Sequence, residues 1–166
     1  MGKIYTLEGE ILDIDKLYHG NEIFEKVTNN VREIKICEIL MKKSHTNIVK
    51  IYDIGVNYID MELLNVNLDS IEISRIKEVM KGVKDYLQSL GIMYIDWKLD
   101  NIGINNDSNL KLFDFDVSGM IDINTGEWIT KMAPPKYYSF NEAVKAGMTT
   151  PIEIDNYAFE LGFKSI

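Results

Sequence analysis

The 166-residue sequence is short of the residues on which several kinds of site depend. It has one cysteine, Cys37, and two histidines, so it can form no internal disulfide and no zinc site of the usual Cys/His type. No apolar run approaches the roughly 18 residues that cross a membrane. The first residues also lack a basic-then-apolar signal pattern. These absences predict a protein of a reducing, cytoplasmic compartment that has no membrane partner.

Positive charge is scarce as well. The chain has 18 Lys and Arg residues against 26 Asp and Glu residues, which gives a formal net charge of −8. Nucleic-acid backbones favour Lys- and Arg-rich surfaces, so we do not expect nucleic acid as a partner. An acidic chain instead suits a bound cation or a basic protein partner.

Short β-type runs and turn signals alternate through the first half of the chain. They predict three antiparallel strands within the first 27 residues, then two strands before the middle of the chain and a short hairpin after it. The predicted strands cover residues 4–7, 11–15, 22–27, 48–56, 58–64, 102–105 and 110–115. This order of strands and helices predicts an α+β fold.

Three segments are predicted to be helical. Asn30 can cap a helix at 31–43, where Glu33 completes a capping-box pattern. Ser74 can cap a second helix at 75–90, which Gly91 would end. The third covers roughly 153–163, after a segment from 117 onward without a clear pattern. There is no Pro/Gly/Ser-rich linker, so residues 1–166 are expected to form one domain.

Four polar residues follow the second predicted helix in a compact arrangement. Asp96, Lys98 and Asn101 lie in YIDWKLDN, and Asp114 lies in LKLFDFD beyond the predicted hairpin. Phosphoryl transfer needs a carboxylate beside the attacking hydroxyl, a cation near the migrating group and oxygen ligands for Mg²⁺. A solvated acidic loop would carry the same residue types, but two such motifs in register with a hairpin favour a catalytic interpretation.

These motifs resemble those of protein kinases, whose catalytic loop reads H-R-D-L-K-P-x-N and whose metal motif reads D-F-G. The resemblance implies a bilobal kinase-like fold, with a small lobe at 1–63 and a minimal large lobe at 64–166 that ends after the helix called αF. It also implies a catalytic base at Asp96, a γ-phosphate contact at Lys98 and metal ligands at Asn101 and Asp114. The implied cofactors are ATP and Mg²⁺, and Lys98 favours a Ser/Thr protein hydroxyl as the acceptor.

Three further stretches extend the resemblance over nearly the whole chain. SHTNIV at 44–49 resembles the H-P-N-I-V that follows the kinase αC helix. YIDMELL at 58–64 resembles the strand entering the hinge, with Met61 as gatekeeper and the backbones of Glu62 and Leu64 facing adenine; an ordinary buried strand is the alternative. IDNYAF resembles the start of αF, where Asp155 would anchor the catalytic loop.

Kinases pair a lysine with a glutamate, and the lysine usually lies in a V-A-I-K motif. This sequence has no such motif, so the two residues are identified from their positions in the predicted strand and helix. Lys26 is the only lysine late in the third predicted strand, and we assign it to the α- and β-phosphates, with a solvent-facing lysine as the alternative. On a helical wheel, Glu33 falls within the apolar arc of the first helix and Glu38 on the charged side. A carboxylate on an apolar face needs a partner. We therefore predict a Lys26–Glu33 pair, with Glu38 or a purely capping Glu33 as alternatives.

The sequence also departs from the kinase pattern. Only Gly9 lies where kinases have G-x-G-x-x-G, Asp116 replaces the glycine of D-F-G, and Lys136 lies near the position of the A-P-E glutamate. Tyr94-Ile95 replaces His-Arg, and an isoleucine cannot bind a phosphate on the activation segment. We therefore predict activity without loop phosphorylation. Such compaction resembles the short kinase-like proteins of large DNA viruses, which would place the protein in host cytoplasm or in the virion.

Three functions remain open at this point. The first is an active Ser/Thr-type protein kinase, the second a small-molecule phosphotransferase of the aminoglycoside-kinase kind, and the third a pseudokinase that acts as a protein-binding module. The missing glycine loop favours the third, and the four intact catalytic-type residues oppose it. The apolar helix at 153–163 also needs cover. Tyr137, Tyr138 and Phe140, or a second subunit in a homodimer, are predicted to supply it.

Overall fold

A computed structural model describes residues 4–5 and 22–164, which form a mixed α+β structure as the sequence predicted. The four helices of the described residues are α1 (Val31–Lys42), α2 (Ile73–Ser89), α3 (Tyr138–Lys145) and α4 (Pro151–Gly162). The strands are β1 (Ile4–Tyr5), β2 (Ile23–Val27), β3 (Ile51–Ile54), β4 (Tyr58–Glu62), β5 (Ile92–Met93), β6 (Ile102–Ile104), β7 (Leu110–Leu112) and β8 (Gly119–Met120).

The largest sheet has the strand order β1-β2-β4-β3. Strands β2, β4 and β3 are antiparallel, and Lys26 lies opposite Ile59 in the register. Strand β1 pairs parallel with β2 through Ile4 and Ile23. These are the first and third predicted strands, which run in the same direction when three successive strands alternate up and down. That they are neighbours in the sheet was not predicted, because local alternation carries no information on which strands pair. The predicted strand at 11–15 and the turn at Gly9 lie outside the described residues.

Helix α1 packs its apolar face on this sheet and buries Ile36, Cys37 and Leu40. It begins where the sequence predicted, since the Asn30 side chain accepts a hydrogen bond from the Glu33 backbone at 3.2 Å. The reciprocal half of a capping box is not formed. The Asn30 backbone N–H donates to Thr28 Oγ1 at 3.1 Å instead, and Glu33 is engaged elsewhere.

Helix α2 starts slightly earlier than predicted. Its N-cap is Glu72, and Ser74 lies inside the first turn, so the predicted Ser74 cap is wrong. The end is as predicted: Gly91 has a φ of +79°, a conformation that glycine adopts without the strain other residues would incur. This turn leads the chain directly into β5 and the residues of the predicted catalytic loop.

Three short elements then hold that loop in place. A 3₁₀ turn at Leu99–Asn101 leads into the predicted hairpin β6–β7, and β8 returns to pair with β5. The β5–β8 pair was not predicted, since each strand has only two residues and no pattern of its own. As a result, the segments that carry Asp96 and Asp114 are tied to the core at both of their ends.

Helices α3 and α4 pack against each other near the end of the chain. Helix α4 begins at Pro151 with a full capping box between Thr150 and Glu153, two residues before the predicted start. Helix α3 was not predicted. No helix among the described residues is both long and apolar enough to cross a bilayer.

The apolar face of α4 is covered within the chain. Phe159 is buried against Trp97 and Phe163, and Phe140 of α3 is also buried. The predicted cover by Tyr137 and Tyr138 is wrong, because their exposed fractions are 62% and 68%. Both tyrosines lie at the start of α3, whose packing face is set by Phe140 and Ala143. The homodimer stays a prediction.

Candidate active site

The predicted pair of Lys26 and Glu33 is formed. Lys26 Nζ lies 2.6 Å from Glu33 Oε2 and 3.0 Å from Asp114 Oδ1, so one ammonium joins strand β2, helix α1 and the segment after β7. Lys26 and Glu33 are only 6% and 1% exposed, whereas Glu38 is exposed on the outer face of α1. Burial opposes the charge on Lys26, but the attraction of Glu33 and Asp114 outweighs it and raises the pKa of Lys26 above its ordinary value.

The predicted catalytic loop brings Asp96, Lys98 and Asn101 together. Asn101 Nδ2 donates to Asp96 Oδ2 and to the Asp96 carbonyl, both at 2.9 Å. Lys98 Nζ lies 3.7 Å from Asp96 Oδ1 and its side chain is half exposed. The Asp96 carboxylate is therefore oriented by Asn101, stays partly accessible, and has the half-exposed Lys98 ammonium beside it. This is a suitable arrangement for receiving a proton from a bound hydroxyl.

A buried carboxylate in α4, that of Asp155, is hydrogen-bonded to this loop. Asp155 Oδ1 accepts from the Ile95 backbone N–H at 2.9 Å and from Trp97 Nε1 at 2.8 Å, and Asp155 Oδ2 accepts from Gln88 Nε2 at 2.9 Å. Burial raises the pKa of Asp155, and the three donated bonds oppose that rise. Ile95 has a φ of 68°, which is costly for a β-branched residue. The Asp155 bond offsets that cost and fixes the backbone next to Asp96.

Trp97 joins the catalytic loop to helix α4. It is buried against Tyr94 and Phe159, and its indole N–H also donates to Asp155. A Cβ atom on Gly162 would overlap the Trp97 carbonyl oxygen, so α4 and the loop touch through their backbones. Neither contact has a sequence signal, because each depends on helix α4 packing at one particular distance from the loop.

The segment after β7 turns sharply at Asp114, whose φ is 64°. Tyr94 supports this turn: its hydroxyl donates to the Phe113 carbonyl at 2.5 Å, and its ring meets Phe115 edge-on at 5.2 Å between centroids. The rings of Tyr94 and Phe115 therefore pack together beneath the Asp114 turn. Burial acts against the Asp114 carboxylate, but Lys26 and the hydrogen bonds from Asp116 together outweigh it and lower the pKa of Asp114. Asp114 is thus an anion that can bind a cation.

Asp116, which replaces the glycine of the kinase motif, lies close to Asp114. Its backbone N–H donates to Asp114 Oδ1 at 3.3 Å. Burial, together with the hydrogen bond and the charge of Asp114, raises the pKa of Asp116 to about 6. At neutral pH the two carboxylates therefore repel each other in the metal-free protein.

This repulsion predicts a pH-dependent effect of Asp116→Asn. The folded-state pKa is raised, so the ionised Asp116 costs stability above about pH 6, and the cost fades as pH falls towards 4. After allowance for its partial exposure, we expect Asp116→Asn to raise the free energy of unfolding at pH 7 by about 1 kcal/mol without metal. Urea titrations at pH 7 and pH 4 measure this. Asp107→Asn, at an exposed position, is the control, and an equal gain at both pH values would contradict the assignment.

Oxygen donors for a magnesium ion are present around Asp114. The Asn101 amide and the carboxylates of Asp114 and Asp116 are ligands of the kind that Mg²⁺ prefers. Within residues 22–164 no three Asp, Glu, His or Cys side chains converge to form a complete metal site. The set fits a magnesium ion that keeps several waters and shares phosphate oxygens, and it does not fit a closed all-protein cage.

Two cavities flank these residues. A cleft of about 580 Å³ contains Asp96, Lys98 and Asp114, and its far wall is the segment from Tyr137 to Phe140. A smaller cavity of about 190 Å³ is mostly apolar. Its lining residues are Phe24, Val49, Met61, Glu62, Leu63, Leu64, Val66 and Phe113. The predicted hinge residues Glu62 and Leu64 thus border an apolar cavity, whose wall also includes Phe113, the residue before Asp114.

The hinge itself is tied to the second half of the chain. The Glu62 carboxylate accepts from the Lys50 backbone at 2.8 Å and lies 3.2 Å from Lys111 Nζ, and Asn65 exchanges two backbone hydrogen bonds with Ile104. Phe24, on the wall of the smaller cavity, was missed by sequence reasoning. Its position two residues before Lys26 was the available signal, since alternate residues of a strand face the same side.

Comparisons with known proteins agree with this geometry. Residues 8–161 match the protein kinase domain family. CTD kinase subunit alpha of Schizosaccharomyces pombe is 30% identical over 143 residues, covering 75% of this chain and 23% of the relative. Mitogen-activated protein kinase HOG1 is 27% identical over 139 residues in both Exserohilum turcicum and Gibberella zeae, covering 75% of this chain and 40% or 37% of the relative. The chain spans less than half the length of these curated relatives.

Proposed function

Since this chain belongs to the protein kinase domain family, we propose that it transfers the γ-phosphoryl group of ATP to a serine or threonine hydroxyl of a protein. The observation that carries the proposal is the position of Lys26, whose ammonium contacts both Glu33 and Asp114. This contact joins a phosphate-binding cation to the metal-binding carboxylate. Asp96 and Lys98 lie in the same cleft as Asp114.

The chain's own residues divide the work of transfer. Lys26 would donate to the α- and β-phosphates of bound ATP, and Lys98 would neutralise the γ-phosphate. Asn101 and Asp114 would hold Mg²⁺, which supplies positive charge beside the phosphates. Asp96 accepts the proton of the attacking hydroxyl, and the bond from Asn101 keeps its carboxylate in position. Positioning and charge stabilisation account for most of catalysis in this class of reaction.

The smaller cavity suits the adenine ring. Its walls are mainly apolar, and the hinge backbone at Glu62 and Leu64 borders it. A flat base that enters this space buries apolar surface and can exchange hydrogen bonds with the hinge backbone. The acceptor would approach from the larger cleft, between Lys98 and Tyr138. The net charge of −8 favours basic protein substrates.

A pseudokinase that binds a protein partner is the second candidate. The observation that favours it is the glycine pattern. In the sequence, Gly9 is the only glycine between the first two predicted strands, where kinases have G-x-G-x-x-G, and Asp116 replaces the glycine after Phe115. Both changes reduce backbone freedom near the phosphates. Such a protein would bind ATP weakly or not at all and would transfer nothing.

The deciding experiment measures ATP binding and transfer in the same preparation. We expect calorimetry to show ATP binding that strengthens with Mg²⁺, and labelled γ-phosphate to appear on Ser or Thr of a mixture of basic proteins. Asp114→Asn should weaken Mg²⁺-dependent ATP binding about 10- to 100-fold, because charge-assisted contacts are worth roughly 1.5–3 kcal/mol. Asp107→Asn is the matched control for charge.

Three results would count against the proposal. Equal Mg²⁺-ATP affinity in Asp114→Asn and the unaltered protein would remove the metal assignment. ATP binding without transfer would favour the pseudokinase. Label on a small-molecule hydroxyl and none on protein would favour a small-molecule phosphotransferase.

A further inference from the structure

The first turn of α1 is bonded to the main chain just beyond Asp114. Arg32 Nε donates to the Ser118 carbonyl at 2.6 Å, and Arg32 Nη2 donates to the Asp116 carbonyl. Asn30 Nδ2 donates to the same Asp116 carbonyl at 3.0 Å. Arg32 in the first turn of α1 and the N-cap residue Asn30 therefore both bond to the backbone of one short segment, more than 80 residues away in sequence. We call this set of contacts the α1 clamp.

The clamp continues into the catalytic loop. Ser118 is fully buried, and its hydroxyl donates to the Tyr94 carbonyl at 3.2 Å. Tyr94 is two residues before Asp96 along the chain. Contacts thus run from Arg32 through Ser118 to the loop that carries Asp96. Glu33, next to Arg32, faces Lys26 from the same helical turn.

We propose that Arg32 is a positioning residue that holds α1, the Asp114 segment and the catalytic loop in one arrangement without any phosphate on the activation segment. The proposal rests on the proposed transfer function and extends it to regulation. The bonds made by Arg32 are charge-assisted and end on backbone carbonyls, which every protonation and phosphorylation state of the chain retains. A guanidinium is suited to this task because its planar fork can donate to two acceptors at once.

The surroundings of Arg32 support a permanent contact. Ile95 takes the place of the arginine that would bind a loop phosphate in kinases, and it is buried with its backbone held by Asp155. Arg32 already donates to two carbonyls, so binding a phosphate would require breaking these bonds. Asn30 adds a neutral bond to the same carbonyl while it caps α1. The starting point of α1 and the position of the Asp116 backbone are therefore set together.

The test compares Arg32→Met, Arg32→Lys and the control Lys35→Met. Methionine keeps the length of the side chain but donates nothing, and lysine keeps the charge but has no planar fork. Lys35 is exposed on the same helix, so its substitution removes one charge without touching the clamp. Transfer kinetics and amide hydrogen exchange of residues 115–120 are measured on each protein, with α2 (Ile73–Ser89) as the internal record of folding.

We expect Arg32→Met to lower kcat about 10- to 100-fold, the range for losing charge-assisted bonds, with a smaller change in the KM for ATP. Exchange in residues 115–120 should quicken at least about tenfold. Arg32→Lys should fall between Arg32→Met and the unaltered protein, and Lys35→Met should match the unaltered protein. If Arg32→Met does not fold, Arg32→Lys supplies the same exchange comparison. Phosphatase treatment should leave the rate of the unaltered protein unchanged.

Unchanged exchange at 115–120 in a folded Arg32→Met protein would overturn the proposal. A loss of more than about tenfold on phosphatase treatment would do so as well, since a phosphate would then be holding the site. A third outcome is that the unaltered protein transfers no phosphoryl group, while exchange at 115–120 is still faster in Arg32→Met than in the unaltered protein. That outcome would defeat the proposed transfer function and support the α1 clamp. The two failures are therefore distinguishable.

Discussion

Asp96→Asn is expected to lower the rate of phosphoryl transfer about 10²- to 10⁴-fold, the usual contribution of a positioned general base. An asparagine side chain cannot take the hydroxyl proton at neutral pH. Its amide oxygen can still accept the hydrogen bond from Asn101, which in the unaltered protein joins Asn101 Nδ2 to Asp96 Oδ2 at 2.9 Å. The loop should therefore keep its shape, and the loss should fall on kcat. Mg²⁺-dependent ATP binding should be nearly unchanged.

The matched control is Asp100→Asn, which removes the same charge from an exposed position in the same loop. Single-turnover transfer to a basic protein separates the chemical step from product release. Equal rates for Asp96→Asn and the unaltered protein would show that Asp96 is not the base. A comparable loss in Asp100→Asn would show that the effect comes from the charge of the loop and not from proton transfer.

The central ion pair could be predicted from the sequence because it depends on local periodicity. Glu33 lies on the apolar arc of a helix, and burial of a carboxylate on such a face requires a cation. Lys26 was the cation available in the preceding strand, and the structure joins the two at 2.6 Å. Asp96 and Asn101 were identified instead from the spacing of the kinase catalytic-loop motif. They are five positions apart, and the 3₁₀ turn at Leu99–Asn101 is enough to bring their side chains together.

Other features were beyond sequence reasoning because they depend on long-range packing. The parallel pairing of β1 with β2 and the existence of α3 have no local pattern that would distinguish them from alternatives. The Trp97 indole bond to Asp155 spans 58 residues and requires α4 to lie within hydrogen-bond distance of the loop. Arg32 resembled any charged residue on a helix surface, and only the path of residues 116–118 gives it partners.

The carboxylate of Asp155 should be the residue of α4 on which stability depends most. Its two oxygens accept from the Ile95 backbone, Trp97 Nε1 and Gln88 Nε2. Asp155→Ala would leave these three donors without their acceptor in a site that excludes water. Leaving buried donors without an acceptor in this way should lower the free energy of unfolding by roughly 3–5 kcal/mol. For a chain of this size, that corresponds to a fall in Tm of roughly 10 °C or more.

Asp155→Asn is the matched comparison, since its amide oxygen can still accept from Ile95 and Trp97 while Gln88 rotates to present its own oxygen to the new amide. We expect it to cost about 1 kcal/mol, near the value of one net hydrogen bond. Asp155→Ala should also lose more transfer rate than its loss of stability explains, because the bond to Asp155 offsets the strain of Ile95 at a φ of 68°. Asp155→Asn keeps that bond and should lose little transfer rate. The fluorescence of Trp97 reports the loss of its indole hydrogen bond. The measurement is made in a Trp128→Phe background, so that Trp97 is the one tryptophan that emits. If Asp155→Ala and Asp155→Asn were equally stable, the buried donors would have other acceptors and α4 would not anchor the loop through this carboxylate.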